Sequence, residues 1–376
     1  MKKILLIASN FFPAEGGIGS YMGVYFYLRP NSFLVLAPKE GDFEEFDRKS
    51  PLKTVRSRWM NTSGLGRLVR PFALTCEVLM LLRRYRFHSI HVANVDSVPL
   101  ALWVVFRFLR IPILSFIAGS ELSTGRRLRV KTALRNSQLL VTCSRFTRDT
   151  LVRDFKVPAD KIEVLNPGIN PDLLNLEPDS KPIKEQYNLE GKFVVLTVSR
   201  LVKRKGHGTV LESLARLKQM GFNDFVYLII GRGPEENYIR GKVRESNLES
   251  NVAFVGYVDN KNLPNFYNAC DVFVMVSDNL DGDYEGFGIV YLEAGAFSKP
   301  VVGSRSGGTA DAIEDGKTGF LIDSGDSIAL SNVLMDLVRN RELGVKLGRN
   351  GKERAKEVTL SKVAKRFATV LNKNGL

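Results

Sequence analysis

Cysteine, histidine and long apolar runs are all scarce in this chain of 376 residues. It has three cysteines and three histidines, and Cys76, Cys143 and Cys270 lie far apart without Cys-x-x-Cys spacing. Such cysteines argue against a disulfide framework and a structural zinc site, and they favour a reducing cytoplasm. The longest apolar run, Val98 to Phe106, is far shorter than the roughly 20 residues of a membrane-spanning helix. We therefore expect no transmembrane segment.

The N-terminal segment Met1 to Ala8 has the basic-then-apolar order of a short signal peptide. Its apolar run is brief and is followed by Ser9, Asn10 and a loop rich in proline and glycine, so a first β-strand is the better interpretation. The composition, 44% hydrophobic and 25% charged, is typical of a folded globular protein. At this length we expect two domains, each with its own core.

Acidic residues are scarce in the first half of the chain. Residues 1–170 hold 26 Lys/Arg and 13 Asp/Glu, whereas residues 171–350 hold 21 and 25, although the net charge of the whole chain is +14. A basic excess confined to one part indicates a face that meets something anionic, either a membrane surface or nucleic acid. No nucleic-acid recognition motif accompanies the charge, so we expect no nucleic-acid partner.

Two basic segments are candidates for that face. The stretch from Arg56 to Arg70 mixes arginines with Trp59 and Leu68, and it fits either a lipid interface or a solvated surface whose apolar side packs on the core. The segment Arg126 to Arg135 is a strongly basic helix candidate. It either keeps the surface soluble or holds an anionic lipid head or an acceptor pyrophosphate.

Apolar strand patterns alternate with helical patterns in both halves, beginning with Lys3–Ser9 in the first and Phe193–Leu201 in the second. This alternation predicts an α/β fold of two doubly wound, Rossmann-like domains. The prolines and glycine of Asn166–Pro171 end the first domain, giving domains at 1–170 and 171–357. A cleft between such domains is where a small ligand is expected to bind.

The most informative stretch is Glu285-Gly-Phe-Gly-Ile-Val-Tyr-Leu-Glu293, in which two carboxylates stand eight positions apart. A helix that begins near Phe287 would direct its free N–H groups and positive dipole end at the preceding loop, which suits a phosphate. Glu285 would lie in that loop beside the ligand, and Glu293 about two turns further along the helix.

With the strand pattern Ala269–Ser277 before it and Lys299–Gly308 after it, this stretch resembles the retaining glycosyltransferases of family four. These are nucleotide-sugar enzymes of the GT-B fold whose signature is a Glu-x7-Glu motif. The resemblance is strong over about 190–325 and moderate over 1–170. It implies two Rossmann-like domains that face each other across a deep cleft, with a C-terminal helix, about 358–376, crossing back to the first domain.

The resemblance also implies roles for single residues. Arg200 and Lys205 would bind the donor pyrophosphate, Glu285 the sugar hydroxyls and Glu293 the ribose, with Glu285, Arg200 and Lys205 as the catalytic candidates. The donor-binding candidates share positions at strand ends or at the helix start: Gly16, Gly17, Arg200, Lys205, Tyr257, Val258, Glu285, Phe287, Gly288, Ile289, Val290 and Glu293.

The mechanism implied is hexosyl transfer with retention of configuration, by front-face attack of the acceptor hydroxyl. Positive charge and a helix start would stabilise the leaving diphosphate, so neither a metal ion nor a cofactor is expected. We predict UDP-glucose as the donor and a saccharide or lipid-linked acceptor in polysaccharide or glycolipid synthesis. The expected location is the cytoplasm, with peripheral contact to an anionic inner membrane face.

One departure from the family pattern leaves alternatives open. The strand Pro112–Ile117 ends in Ala118-Gly-Ser-Glu121, where related enzymes carry histidine in place of Ala118. A nucleotide-sugar-binding protein with weak or no catalysis is therefore one alternative, and a phosphorylase or epimerase of the same fold is another. A basic-surface binder of membrane or nucleic acid is the third. The acidic stretch Asp278–Tyr284 does not fit an EF-hand, and we expect it to be a flexible loop.

Overall fold

The computed structural model describes residues 3–13, 17–60, 66–123 and 127–376. The chain forms two compact units. The first comprises Met1–Gly168 together with Leu360–Leu376, and the second comprises Ile169–Thr359. The C-terminal segment thus belongs to the first unit, as the resemblance implied.

The first unit is built on a parallel seven-stranded sheet with the order β3-β2-β1-β4-β5-β6-β7. Its strands are β1 (Lys3–Ile7), β2 (Phe33–Pro38), β3 (Lys53–Ser57), β4 (Phe87–Val92), β5 (Ile113–Ile117), β6 (Leu139–Thr142) and β7 (Ile162–Val164). Its helices are α1 (Gly17–Met22), α2 (Phe43–Lys49), α3 (Gly66–Arg84), α4 (Leu100–Phe108), α5 (Arg127–Asn136) and α6 (Arg145–Phe155), with α15 (Leu360–Lys373) from the end of the chain.

Helices α3 to α6 cover one face of this sheet, because their buried side chains share a single core with strand residues such as Ile90 and Val92. The C-terminal helix α15 packs on the 3-10 helix Gly23–Tyr27, and the Phe367 ring lies 5.6 Å from Phe116 and 5.8 Å from Tyr25. Phe367 is fully buried, so α15 is part of the core of the first unit.

The second unit is a parallel six-stranded sheet with the order β10-β9-β8-β11-β12-β13. Its strands are β8 (Phe193–Val198), β9 (Phe225–Ile230), β10 (Val252–Gly256), β11 (Val272–Met275), β12 (Val301–Ser304) and β13 (Gly319–Ile322). Its helices are α7 (Lys181–Gln186), α8 (His207–Gln219), α9 (Glu236–Glu245), α10 (Leu263–Ala269), α11 (Ile289–Ala296), α12 (Thr309–Ala312), α13 (Ser327–Arg339) and α14 (Arg341–Glu357).

The strand order reverses between β8 and β11, which pair directly with Val195 opposite Val272. From β8 the chain moves outward through β9 and β10, and from β11 it moves the other way through β12 and β13. In doubly wound sheets the crevice outside the carboxyl ends at such a switch point is where ligands bind. The segments after β8 and β11 are therefore the first place to look for a site.

One expectation about the first unit is wrong. Arg56 is not part of a basic surface element: it lies in β3 with a side chain 5% exposed, and its guanidinium donates to both carboxylate oxygens of Asp47 at 2.9 and 2.7 Å. Met60 is buried, as the alternative in which the apolar side packs on the core predicts. The pairing of β3 in the sheet and the counter-charge of Asp47 override the surface pattern at Arg56, whereas Arg58 and Leu68 of the same stretch are exposed.

No helix in the described part of the chain combines the length and apolar character needed to span a bilayer.

Candidate active site

A cluster of three charged side chains lies at the switch point of the second unit. Arg204 and Lys205 belong to the 3-10 helix Lys203–Lys205 after β8, and Glu285 lies in the loop between β11 and α11. The Lys205 ammonium donates to Glu285 Oε2, and Arg204 Nη1 donates to the same oxygen at 2.8 Å. The Ser277 hydroxyl, 3.4 Å from that oxygen, is a third donor.

Burial makes this cluster electrostatically strong. The three side chains are only 10 to 12% exposed. Burial by itself would raise the pKa of Glu285, but the neighbouring Lys205 and Arg204 lower it to about 2, so the carboxylate is ionised at any physiological pH. Burial lowers the pKa of Lys205, and the negative charge of Glu285 opposes that shift.

Arg204 is the member of this cluster that the sequence did not identify. It is the middle residue of Lys203-Arg-Lys205, and such a run is more often a solvated loop. Lys203 is exposed as that interpretation predicts, whereas Arg204 and Lys205 are both buried. Arg204 Nε also lies 3.2 Å from Asp283 Oδ1. Only the pairing of β8 with β11 brings these residues beside a carboxylate some 80 positions away.

The backbone of Glu285 is held by the loop after β12. Gly308 donates its N–H to the Glu285 carbonyl at 2.7 Å. Gly307 has φ of +60°, and a Cβ on it would lie 2.3 Å from that same carbonyl oxygen. A side chain at 307 would therefore both strain the backbone and displace the segment that carries Glu285.

Helix α11 begins at Ile289, with Gly288 as its N-cap residue at φ of +86°. The sequence placed the start near Phe287, and the left-handed glycine explains why the helix begins two residues later. Phe287 is buried, and Ile289 and Val290 are half-buried in the first turn. The free N–H groups of this turn lie at the end of the loop that carries Glu285, as the phosphate hypothesis requires.

Glu293 and Arg200 have different surroundings from the cluster. The carboxylate of Glu293 accepts a hydrogen bond from the Tyr267 hydroxyl at 2.8 Å, and burial raises its pKa. Arg200 is exposed after β8, and its charge helps to lower the pKa of Lys205. Ribose binding by Glu293 and pyrophosphate binding by Arg200 stay predictions.

The remaining predicted donor-binding residues are spread over both units. Tyr257 is exposed and Val258 half-buried directly after β10, at the same edge of the second sheet as the cluster. Gly17 is the first residue of α1 in the first unit. Gly16 lies outside the described residues. The structure thus brings together Lys205, Glu285 and the start of α11, and it leaves the roles of the other residues as predictions.

His207, at the start of α8, also escaped the sequence analysis. Its ring nitrogens contact the Ser199 hydroxyl and the Tyr227 hydroxyl, each at 3.1 Å, and burial lowers its pKa to about 4. Tyr227 in turn donates to Thr197 at 2.9 Å. A neutral histidine in a closed polar network is a structural element, and it fixes the end of β8 against α8 just beyond Lys205.

The acidic stretch expected to be a flexible loop contains a hydrogen-bonded turn. Leu280 and Asp283 exchange backbone hydrogen bonds of 3.0 and 2.9 Å around Asp281 and Gly282, both with positive φ. In the part of the chain that the structure describes, no group of three or more His, Cys, Asp or Glu side chains is arranged to hold a metal ion.

In the first unit, the segment Ala118–Glu121, which departs from the family pattern, forms a hydrogen bond within itself. The Ala118 N–H donates to Glu121 Oε1 at 2.8 Å, and burial raises the pKa of Glu121 to about 7. His91 is buried in β4 with Nδ1 2.7 Å from the Tyr25 hydroxyl, and burial lowers its pKa to about 3. His91 is therefore a core residue and does not take the place of the missing histidine.

Comparisons with solved structures show the fold. The chain matches the HepE protein of Anabaena, solved in complex with UDP and glucose, at a TM-score of 0.83 with 21% identity, covering 99% of this chain and 100% of that one. It matches the sucrose-phosphate synthase of Thermosynechococcus elongatus at a TM-score of 0.80 with 21% identity, covering 99% of each. The fold is that of the GT-B glycosyltransferases, as predicted.

Sequence comparisons define the family. Residues 30–173 match the model described as Glycosyltransferase Family 4, and residues 179–354 match the model of glycosyl transferases group 1. Over 366 residues the chain is 30% identical to the GDP-mannose-dependent alpha-(1-6)-phosphatidylinositol monomannoside mannosyltransferase of Mycolicibacterium smegmatis, covering 93% of this chain and 92% of that protein. This chain belongs to glycosyltransferase family four and is a transferase.

Proposed function

We propose that this enzyme transfers a hexosyl group from a nucleoside-diphosphate sugar to a lipid-linked saccharide acceptor, with retention and without a metal ion. The observation that carries the proposal is the cluster of Lys205, Arg204 and Glu285 at the switch point, next to the start of α11. The donor diphosphate gains negative charge as the glycosidic bond breaks. Two cations held rigidly in a buried site stabilise that charge without reorganising.

Glu285 has two functions in this proposal. Its Oε2 takes the contacts from Lys205, Arg204 and Ser277 and so fixes both cations in place. Its other oxygen, Oε1, is the acceptor that we assign to the hydroxyls of the donor sugar. Because its pKa is lowered to about 2, the carboxylate accepts these hydrogen bonds in its charged form, which makes them stronger than bonds between neutral groups.

GDP-mannose is the donor that we favour, in place of the UDP-glucose expected from the sequence. The mycobacterial relative is GDP-mannose-dependent and shares 30% identity over nearly the whole chain. The structures solved with UDP or UDP-glucose are about 21% identical and support the fold. GDP-mannose carries its sugar in the α configuration, so an α-linked product like that relative's would mean retention. We propose a cytoplasmic location with peripheral membrane contact, since the relative acts on a phosphatidylinositol mannoside.

The test is isothermal titration with GDP-mannose, UDP-glucose and ADP-glucose, first with EDTA and then with magnesium. Lys205→Ala and Arg204→Gln should weaken binding of the preferred donor at least roughly 30-fold, because each removes one buried charge contact worth about 2 kcal/mol or more. Lys203→Ala removes an exposed lysine from the same run and should bind as wild type. Equal binding by all four proteins would refute the site, and binding only with magnesium would refute metal independence.

A further inference from the structure

The outer surface of three neighbouring helices in the first unit is both apolar and basic. Helices α3, α4 and α5 follow one another along the same face of the sheet, and their buried sides share one core. Because their inner faces point to the same core, their outer faces point to the same side of this unit. We name this surface the basic–apolar face and define it by the exposed residues of α3, α4 and α5.

Helix α4 shows the apolar character most directly. Leu100, Val104 and Phe108 follow at four-residue spacing and are 37%, 68% and 86% exposed. Residues four apart lie one above the other on a helix, so the three form a continuous outward stripe. The opposite side of α4, with Trp103 and Phe106, is fully buried in the core. The helix is therefore apolar on both sides, although only one is covered within this unit.

The neighbouring helices extend the stripe on both sides. On α3, Leu68, Phe72 and Met80 are 81%, 73% and 65% exposed, and on α5 Leu128 is 67% exposed. Single exposed apolar side chains are ordinary, but exposed apolar side chains that recur on three neighbouring helices of one face indicate a surface that binds something.

The charge of the same three helices selects the kind of partner. Their sequences contain nine Lys/Arg and a single Asp/Glu. The acidic residue, Glu77, accepts a hydrogen bond from Ser57. The basic side chains of α5 are turned outward at Arg127, Lys131 and Arg135. A surface with an apolar centre and a one-sided positive charge is complementary to a bilayer whose headgroups are anionic.

A pocket of about 290 Å³ lies between the ends of α4 and α5. Its lining includes Arg107, Arg110 and Arg135, all exposed, and no Asp or Glu. Within the described ranges of the chain these three guanidinium groups form no ion pair with a carboxylate. Planar guanidinium groups are suited to bidentate contact with phosphate oxygens. We name this the three-arginine pocket. Phe108, the most exposed apolar residue of the face, directly follows the pocket residue Arg107 in the chain.

We propose that the basic–apolar face docks on the surface of an anionic lipid bilayer, and that the three-arginine pocket takes the phosphate of one lipid headgroup. The stripe of α4 enters the interface between headgroups and acyl chains. The arginines stay at headgroup level, their stems lying along the apolar surface. This deepens the proposed function and rests on it only for the acceptor, since docking brings the enzyme to a lipid-linked acceptor whichever sugar donor it uses.

The experiment is sedimentation of the full chain with vesicles, without nucleotide sugar. We expect binding to vesicles of 70% phosphatidylcholine and 30% phosphatidylglycerol to be at least tenfold tighter than to pure phosphatidylcholine, and to weaken with salt. Val104→Asp should weaken the anionic-vesicle binding at least tenfold. Its control is Val345→Asp in the second unit, since Val345 is 71% exposed and matches Val104 in residue type and exposure.

The pocket is tested by changing its three arginines together to glutamine. The charge-matched control changes three exposed basic residues of the second unit to glutamine: Arg216, Lys346 and Arg349. The pocket variant should lose anionic-vesicle binding at least tenfold, whereas the control should lose less than threefold. Equal losses in the two triple variants would show adsorption by net charge only and would overturn the proposal. Equal binding of the wild type to neutral and anionic vesicles, or to neither, would also overturn it.

Donor titration of the same proteins separates this proposal from the proposed function. Val104→Asp and the pocket variant should bind the donor as wild type does, because their changes lie in the other unit from the charged cluster. A chain that binds anionic vesicles through this face but binds no nucleotide sugar would support the docking face and refute the proposed function. A chain that binds the donor but does not bind anionic vesicles through this face would support the proposed function and refute the docking face.

Discussion

Replacing Glu285 by glutamine removes a charge that the two buried cations share, and the pKa of Glu285 gives the size of the loss in stability. The carboxyl has a pKa of about 2 in the folded protein against 4.5 for an ordinary glutamate. A difference of about 2.5 between these values corresponds to about 3 kcal/mol in favour of the folded state at pH 7. Removing one partner of a buried ion pair costs about 3 to 5 kcal/mol, which agrees.

The pH dependence gives this prediction a second signature. A carboxyl with a lowered folded pKa stabilises the protein above its unfolded pKa, and the contribution is lost as the pH falls from 4.5 through 2. The difference in unfolding free energy between wild type and Glu285→Gln should therefore shrink by roughly 1 kcal/mol between pH 7 and pH 4.

The assay must report on the second unit. Both tryptophans, Trp59 and Trp103, lie in the first unit, so their fluorescence serves as an internal control that should not change. Hydrogen exchange of peptides from β8–α8 and from β11–α11 measures the stability around the cluster. The matched variant is Glu236→Gln, which breaks an exposed pair with Arg240 and should cost less than about 0.5 kcal/mol. A cost for Glu285→Gln as small as that would refute the electrostatic account.

Three further changes have definite outcomes. Gly307→Ala should destabilise the second unit clearly more than Gly316→Ala, as measured by urea unfolding followed by circular dichroism. Both glycines have positive φ, but only a Cβ at position 307 would contact another atom, the Glu285 carbonyl oxygen at 2.3 Å. Glu121→Gln should equal wild type in stability below about pH 4.5 and should be more stable than wild type by up to about 3 kcal/mol above pH 7. The reason is that burial raises the pKa of Glu121, so the stabilising contribution of this carboxyl is lost as the pH rises through 7. Thermal melts at pH 4.5 and pH 8 check this prediction. Phe367→Ala should cost the first unit about 3 to 5 kcal/mol, seen by tryptophan fluorescence in urea, while hydrogen exchange of the second unit stays unchanged.

The local features of the site could be predicted from the sequence. The apolar run of β11, the loop position of Glu285 and the helix after it follow from residue patterns within about 25 positions. The predicted helix start differs by two residues from the observed one, because Gly288 adopts a left-handed conformation that only the folded loop reveals. Local propensity and short-range spacing were enough for this part.

What the sequence could not supply are contacts between distant segments. In the sequence Arg204 has the pattern of a solvated loop cation, and its burial depends on β11 lying beside β8. Arg56 looked like a surface arginine, and its neutralisation depends on Asp47. In both cases an ion pair formed by tertiary packing decides whether a charge faces water, and a single sequence does not encode that partner in any local pattern.

The measurement that tests the central claim most directly is turnover with a phosphatidylinositol mannoside acceptor in EDTA, with the product's anomeric configuration read by nuclear magnetic resonance. We expect GDP-mannose to be consumed, an α-linked mannoside to appear, and the rate to fall at least a hundredfold in Arg204→Gln (about 2.7 kcal/mol) while Lys203→Ala keeps it. A β-linked product, or equal rates in the two variants, would contradict the account.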